Sequence, residues 1–272
     1  MKKSLVTLLL AALSTHAQAQ QGADFELCRT TRSNPDLAIK HCSAAIDSRK
    51  FTGDDLARLH HSRGVEWAAK GDTERAISDF DNALKFKPGM ALTHHARGIE
   101  FTSKGDYARA LADLDAAQKI DPKINVGFDR GRTLFYMGNF SAAETTIETA
   151  LKERPNVYTA IWLYLARKHG GVFDAEEQLE RDTRRLRAGW PAPLIAFYLG
   201  RTDAQSIVNS ATDSDAVRKR EIVCEAHFYM AHGWLIKGDK PRARELLEAF
   251  SKTCPKNLLE SEGVLAELRR MK

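Results

Sequence analysis

Beyond its first 19 residues the 272-residue chain has no long apolar run. No stretch reaches the roughly 20 apolar residues that a membrane helix needs, so a spanning segment is not expected. Local signatures of catalysis are missing as well. There is no G-x-S-x-G, no H-E-x-x-H, no P-loop, and no Cys-His arrangement with a recognisable signature. Glu176, Glu177 and Glu180 share a stretch with Arg181, Arg184 and Arg185. That mixture fits a solvated, salt-bridged face better than an acid–base pair. Excess charge of one sign is also lacking: the net charge is +5, and +3 once Lys2 and Lys3 are set aside with residues 1–19. So small and dispersed a surplus gives no footprint for nucleic acid. No catalytic residue, metal site or cofactor is assigned.

The start of the chain carries an address. Met1-Lys2-Lys3 is basic, Leu5–Leu13 is apolar, and Ala17-Gln18-Ala19 is a small-residue cleavage site. This is the layout of a signal peptide over 1–19, with cleavage before Gln20, and it predicts a periplasmic or secreted protein. The first cysteine, Cys28, lies well past the cut, so no lipid-attachment cysteine follows the apolar run.

The dominant feature is an internal period. Gly64, Gly98 and Gly131 recur at steps of 34 and 33. After each come Gly71, Gly105 and Gly138, then Ala76, Ala110 and Ala143, then Ala83, Ala117 and Ala150, then Pro88, Pro122 and Pro155, at fixed offsets. A late copy keeps Gly238, Ala243 and Pro255, with Ala231 and Phe250 at the other two positions. A period of about 34 residues is the mark of a helix-turn-helix array. The first small residue lets one helix approach its neighbours, and Gly-Asp or Gly-Asn makes the turn and caps the next helix. Proline ends the hairpin.

This pattern resembles the tetratricopeptide repeat. The resemblance covers about residues 56–156 closely and 221–256 with small departures. The family's bulky positions fall at Trp67, Phe101, Leu134 and Trp234 in the first helix, and at Phe80, Leu114, Ile147 and Leu247 in the second. An all-α solenoid is expected, in which stacked hairpins share one core. Its predicted parts are a degenerate first hairpin over 20–55, three repeats over 56–156, a divergent repeat with connecting helices over 157–220, a last repeat over 221–256, and a C-terminal capping helix over 257–272. In the degenerate hairpin, Asn34 is placed to cap a helix beginning at Pro35.

The second half carries a narrower likeness. Trp162-Leu163-Tyr164-Leu165-Ala166, then Trp190 with Phe197-Tyr198-Leu199-Gly200, then Glu225-Ala226-His227-Phe228-Tyr229 are similar to the NlpI-like adaptor lipoproteins of the bacterial envelope. That resemblance implies dimerisation and docking of envelope proteases and peptidoglycan hydrolases. The missing lipid-attachment cysteine departs from it.

Four cysteines in an exported chain allow three pairings. Residues equidistant from a hairpin turn face each other. Cys28 and Cys42 are centred on the Asn34-Pro35 turn, and Cys224 and Cys254 on the Gly238-Asp239 turn. Both pairs would then staple an end hairpin, each contributing about 3 kcal/mol in the chain-entropy view. Buried free thiols are the alternative.

Two His doublets, His60-His61 and His94-His95, lie one repeat apart. A metal would need a third ligand, and none stands at ligand spacing. We expect one His of each doublet in the core and the other on an inner groove. That groove is the candidate functional surface: along each first helix the residues three before, one after and four after the recurring glycine share a stripe. The candidates are His61 and Val65, with Ala68; His95 and Ile99, with Thr102; and Phe128, Arg132 and Phe135. The resemblance implies peptide binding there, and the apolar stripe with one Arg suits an apolar segment with an acidic group. A non-catalytic scaffold or adaptor for protein or peptide partners in the cell envelope is the reading. The alternatives are an envelope enzyme subunit with an unrecognised site and a structural homodimer whose groove is self-occupied.

Overall fold

The computed structural model describes residues 22–31, 34–186, 189–256 and 258–271. The expected signal peptide and the cleavage position before Gln20 lie outside these residues. Among the described residues there are fifteen helices and no strand. They are α1 (22–30), α2 (Pro35–Asp47), α3 (Gly53–Ala69), α4 (Thr73–Phe86), α5 (Ala91–Lys104), α6 (Tyr107–Ile120), α7 (Gly127–Met137), α8 (Phe140–Glu153), α9 (Val157–His169), α10 (Ala175–Thr183), α11 (Pro193–Tyr198), α12 (Ala204–Ser210), α13 (Ala216–Ile236), α14 (Lys240–Thr253) and α15 (Ser261–Arg270).

The hairpins follow from local chemistry. Gly71, Gly105, Gly138 and Gly238 adopt left-handed φ values of 71°, 80°, 88° and 80°, which cost glycine little. The next residue then caps the following helix: side chains of Asp72, Asp106, Asn139 and Asp239 accept from the backbone N–H three positions on. Such a cap contributes about 1 kcal/mol. Asn34 does the same for α2, with Pro35 in the first turn.

The recurring small residue of each first helix meets the bulky residue of its partner. A β-carbon at Gly64 would lie 2.7 Å from the Phe80 ring, one at Gly98 3.1 Å from Leu114 Cγ, and one at Gly131 2.3 Å from Ile147 Cγ1. Glycine and its large counterpart are therefore one fitted unit, repeated. Consecutive helices pack in order, and α3 touches α5, α7 touches α9, and α9 touches α13. These first helices form the layer that carries the predicted stripe.

An ionic ladder joins the early hairpins. Nδ1 of His60 lies 2.8 Å from Asp79 Oδ1, and Arg63 Nε donates to Asp79 Oδ2 at 2.8 Å. One repeat later His94 and Arg97 hold Asp113 at 2.8 and 2.7 Å. Burial pushes both carboxyls up, but the Arg and His partners outweigh it and hold them below their ordinary value. Arg97 also reaches back to Asp81 of the preceding hairpin at 2.6 Å, and Arg130 to Asp115 at 2.6 Å.

The main core lies in the second half, from Phe135 to Ala266, with smaller clusters earlier. Its axis is α9, whose 13 residues include ten buried ones. This helix, which opens the divergent stretch, is thus largely enclosed, by α7, α8, α10 and α13. Cys28 and Cys42, and Cys224 and Cys254, sit at disulfide distance, with Cα atoms 4.6 and 5.8 Å apart. This is the pairing read from the hairpin midpoints.

The last helix departs from a simple end cap. It packs on α14 but also turns back across α5 and α7. No helix among the described residues is long and apolar enough to cross a membrane.

Candidate functional site

Return of α15 over the inner layer divides the predicted stripe. On α3, Val65 is 40% exposed, and His61 and Ala68 are half-buried. His61 pairs with the Thr93 hydroxyl at 3.0 Å, and burial lowers its pKa. On α5, half-buried Ile99 faces a cleft of about 390 Å³, with Ala68 and Ser103 on one wall and Leu259, Val264 and Leu265 opposite. His95 is bound to Asp129 at 2.7 Å. Both histidines of the stripe, His61 and His95, are therefore partnered. Among the described residues no group of three or more His, Cys, Asp or Glu is placed to hold a metal.

Two stripe residues do not face a groove. Phe135 is fully buried, edge-on to Trp162 at 5.3 Å and to His169 at 5.3 Å. Arg132 is 1% exposed. Its guanidinium meets the carboxylates of Asp129 and Glu262 and donates to the Leu259 carbonyl at 3.2 Å. The expectation that these two are open groove residues is corrected: α9 and α13 enclose α7 from one side and the 258–271 segment covers it from another. Thr102 is likewise interior, its hydroxyl 2.8 Å from that of Thr133.

Phe128, half-buried, lines a second open cavity of about 530 Å³. Asp129, Tyr158, Glu225 and Glu260 share its walls. Glu225 accepts from Tyr158 and Trp190, both at 2.6 Å, and from Arg218 at 3.1 Å. Glu260 accepts from the Tyr229 hydroxyl at 3.0 Å. Burial, then the Glu225 charge beside it, pushes the Glu260 carboxyl up to about 7.

Sequence reasoning missed the residues that seat the last helix: Glu262, Gly263, Glu267 and Arg270. A signal was present, because all four are a charge or a glycine within a short amphipathic helix. The His-Arg-Asp clamps were missed too, although His60, Arg63 and Asp79 recur as His94, Arg97 and Asp113 at the repeat spacing.

The second-half motifs behind the NlpI-like resemblance are interior groups. Trp162, Tyr164, Phe197, Tyr198, Phe228 and Tyr229 are all buried, and Trp162 Nε1 donates to Tyr229 Oη at 3.1 Å. In this chain they belong to the core.

Comparison with known proteins agrees with this architecture. Residues 128–167, from α7 into α9, match the tetratricopeptide repeat family. A tetratricopeptide repeat protein from Parabacteroides merdae superposes with a TM-score of 0.58 at 16% identity, covering 92% of this chain and 98% of that one. PilF of Pseudomonas aeruginosa gives 0.52 at 15% identity, covering 93% and 99%. The chain has an all-α helical-repeat fold of the kind these tetratricopeptide repeat proteins share.

Proposed function

We propose that the chain is an exported, non-catalytic scaffold that holds protein segments on the inner face of its first helices, in the periplasm or outside the cell. One observation carries this reading: Val65 of α3 is exposed, and Ala68 and Ile99 beside it line an open cleft. An extended or helical segment with apolar side chains suits that surface. Two cysteine pairs at disulfide distance support an oxidising compartment. The NlpI-like pattern supports an adaptor role toward envelope proteases or peptidoglycan hydrolases. A homodimer is part of that pattern.

Capture from envelope extract by the chain from Gln20 onward tests this. Val65→Asp combined with Ala68→Asp is expected to abolish capture, and Phe173→Asp, at a side chain 98% exposed, to leave it intact. Equal capture by all three proteins overturns the reading.

A further inference from the structure

The segment after α14 lies on the inner layer as a ligand would. Ser103 Oγ of α5 donates to Glu262 Oε2 at 2.8 Å, and the same carboxylate meets Arg132 of α7. Arg270 donates to the Phe135 carbonyl at 2.7 Å, at the C-terminal end of α7. Between these contacts Gly263 lets the helix sit close: a β-carbon there would lie 2.4 Å from Tyr136 Oη and 2.8 Å from the Phe228 ring. We propose that residues 258–271 are a displaceable intramolecular ligand, and that the partner which replaces them is an amphipathic helix bearing a carboxylate for Arg132. This rests on reading the inner face as a protein-docking surface.

The chemistry of the seat favours exchange over permanent burial. Glu260, Glu262 and Glu267 are 3%, 7% and 2% exposed. Three buried carboxylates on so short a segment lose more solvation than an apolar helix of the same size would. Beneath it, Arg132 Nε and Tyr136 Oη are buried without a hydrogen-bond partner among the described residues. A different helix could satisfy those atoms, whereas this one leaves them bare. The outer side of α15 keeps Leu265 52% exposed, so apolar area remains uncovered while the helix is seated. Cys254, at the end of α14, is tied to Cys224 of α13, so the chain is anchored just before the segment that would be displaced.

The test uses a fluorescent peptide of residues 258–271 added to the chain from Gln20 onward. Glu262→Gln in the protein weakens the intramolecular helix and leaves the seat, so the peptide should bind this variant about tenfold more tightly than the wild type. Arg132→Met should bind it in neither background. Amide hydrogen exchange of the unaltered protein gives a second readout: α15 should open well below the free energy of α13. The proposal is overturned if Glu262→Gln binds the peptide no better than wild type, or if α15 exchanges only together with α13. Either failure, with capture still lost in Val65→Asp/Ala68→Asp, leaves the scaffold reading standing; peptide exchange with unaltered capture removes that reading instead.

Discussion

Gly131 and Ile147 show how tightly single residues are matched here. The missing β-carbon of one is the space filled by the other, at 2.3 Å. Gly131→Ala is therefore expected to destabilise the chain by about 1–3 kcal/mol, as overpacking does. Gly89→Ala, with open space around it, should cost far less. Thermal unfolding of the two variants checks this, and Ile147→Val should recover part of the Gly131→Ala loss. The glycine was legible in the sequence because it repeats, and so was its bulky counterpart. The clamp of His60 and Arg63 on Asp79 repeats equally well but was not read. Its members lie on two helices, and nothing in the one-dimensional spacing says that they converge. Phe135 was misread for a related reason: helical periodicity gives a direction, and only the neighbouring helices decide whether that direction ends in solvent or in Trp162.

At the scale of elements, the hairpins and the amphipathic character of α15 were readable from pattern. Where α15 sits was not, since its contacts with Ser103 and Arg132 join residues more than a hundred positions apart. Its entry residue, Glu260, makes the seat sensitive to pH. Facing it are Glu225 and Tyr229 of α13 and Arg132 of α7, and its carboxyl is raised from an ordinary 4.5 to about 7. A carboxyl whose folded value is raised takes up protons on seating. Its contribution is fully present below pH 4.5 and is lost as pH rises through about 7. That span corresponds to roughly 3 kcal/mol of differential interaction. Hydrogen exchange of α15, corrected for intrinsic rates, should show opening that grows between about pH 5 and pH 8. Glu260→Gln should flatten the dependence. A wild-type profile as flat as the variant's would remove Glu260 from this role.

Across the whole molecule, stability is unevenly spread. The second half shares one large core around α9, whereas α1 to α6 depend on small clusters and on Arg-Asp-His clamps. In an array where each hairpin leans mainly on its neighbours, such asymmetry lets one end open first. In denaturant, amides of α2 to α4 should lose protection before those of α9 and α13. Replacing Cys28 and Cys42 with Ala should widen the gap, because their link closes only the first hairpin. Simultaneous loss of protection along the chain would show that the halves are coupled after all. The general class of this fold was legible because period alone defines it. The location of the core was not, because the divergent copy that forms it departs from the period.

The ladder of arginines has a consequence for copy number. Arg97, early in one unit, reaches Asp81, late in the unit before, and Arg130 repeats the reach to Asp115. These two successive junctions therefore present the same charged handshake. At this handshake alone, duplicating or excising a unit such as 91–124 would leave Arg and Asp matched at the seam. Arg130 would simply meet Asp81. In its Arg-Asp pattern the N-terminal half is modular, but α5 also seats the returning helix through Ser103, so the place where that helix lands fixes which unit must stay.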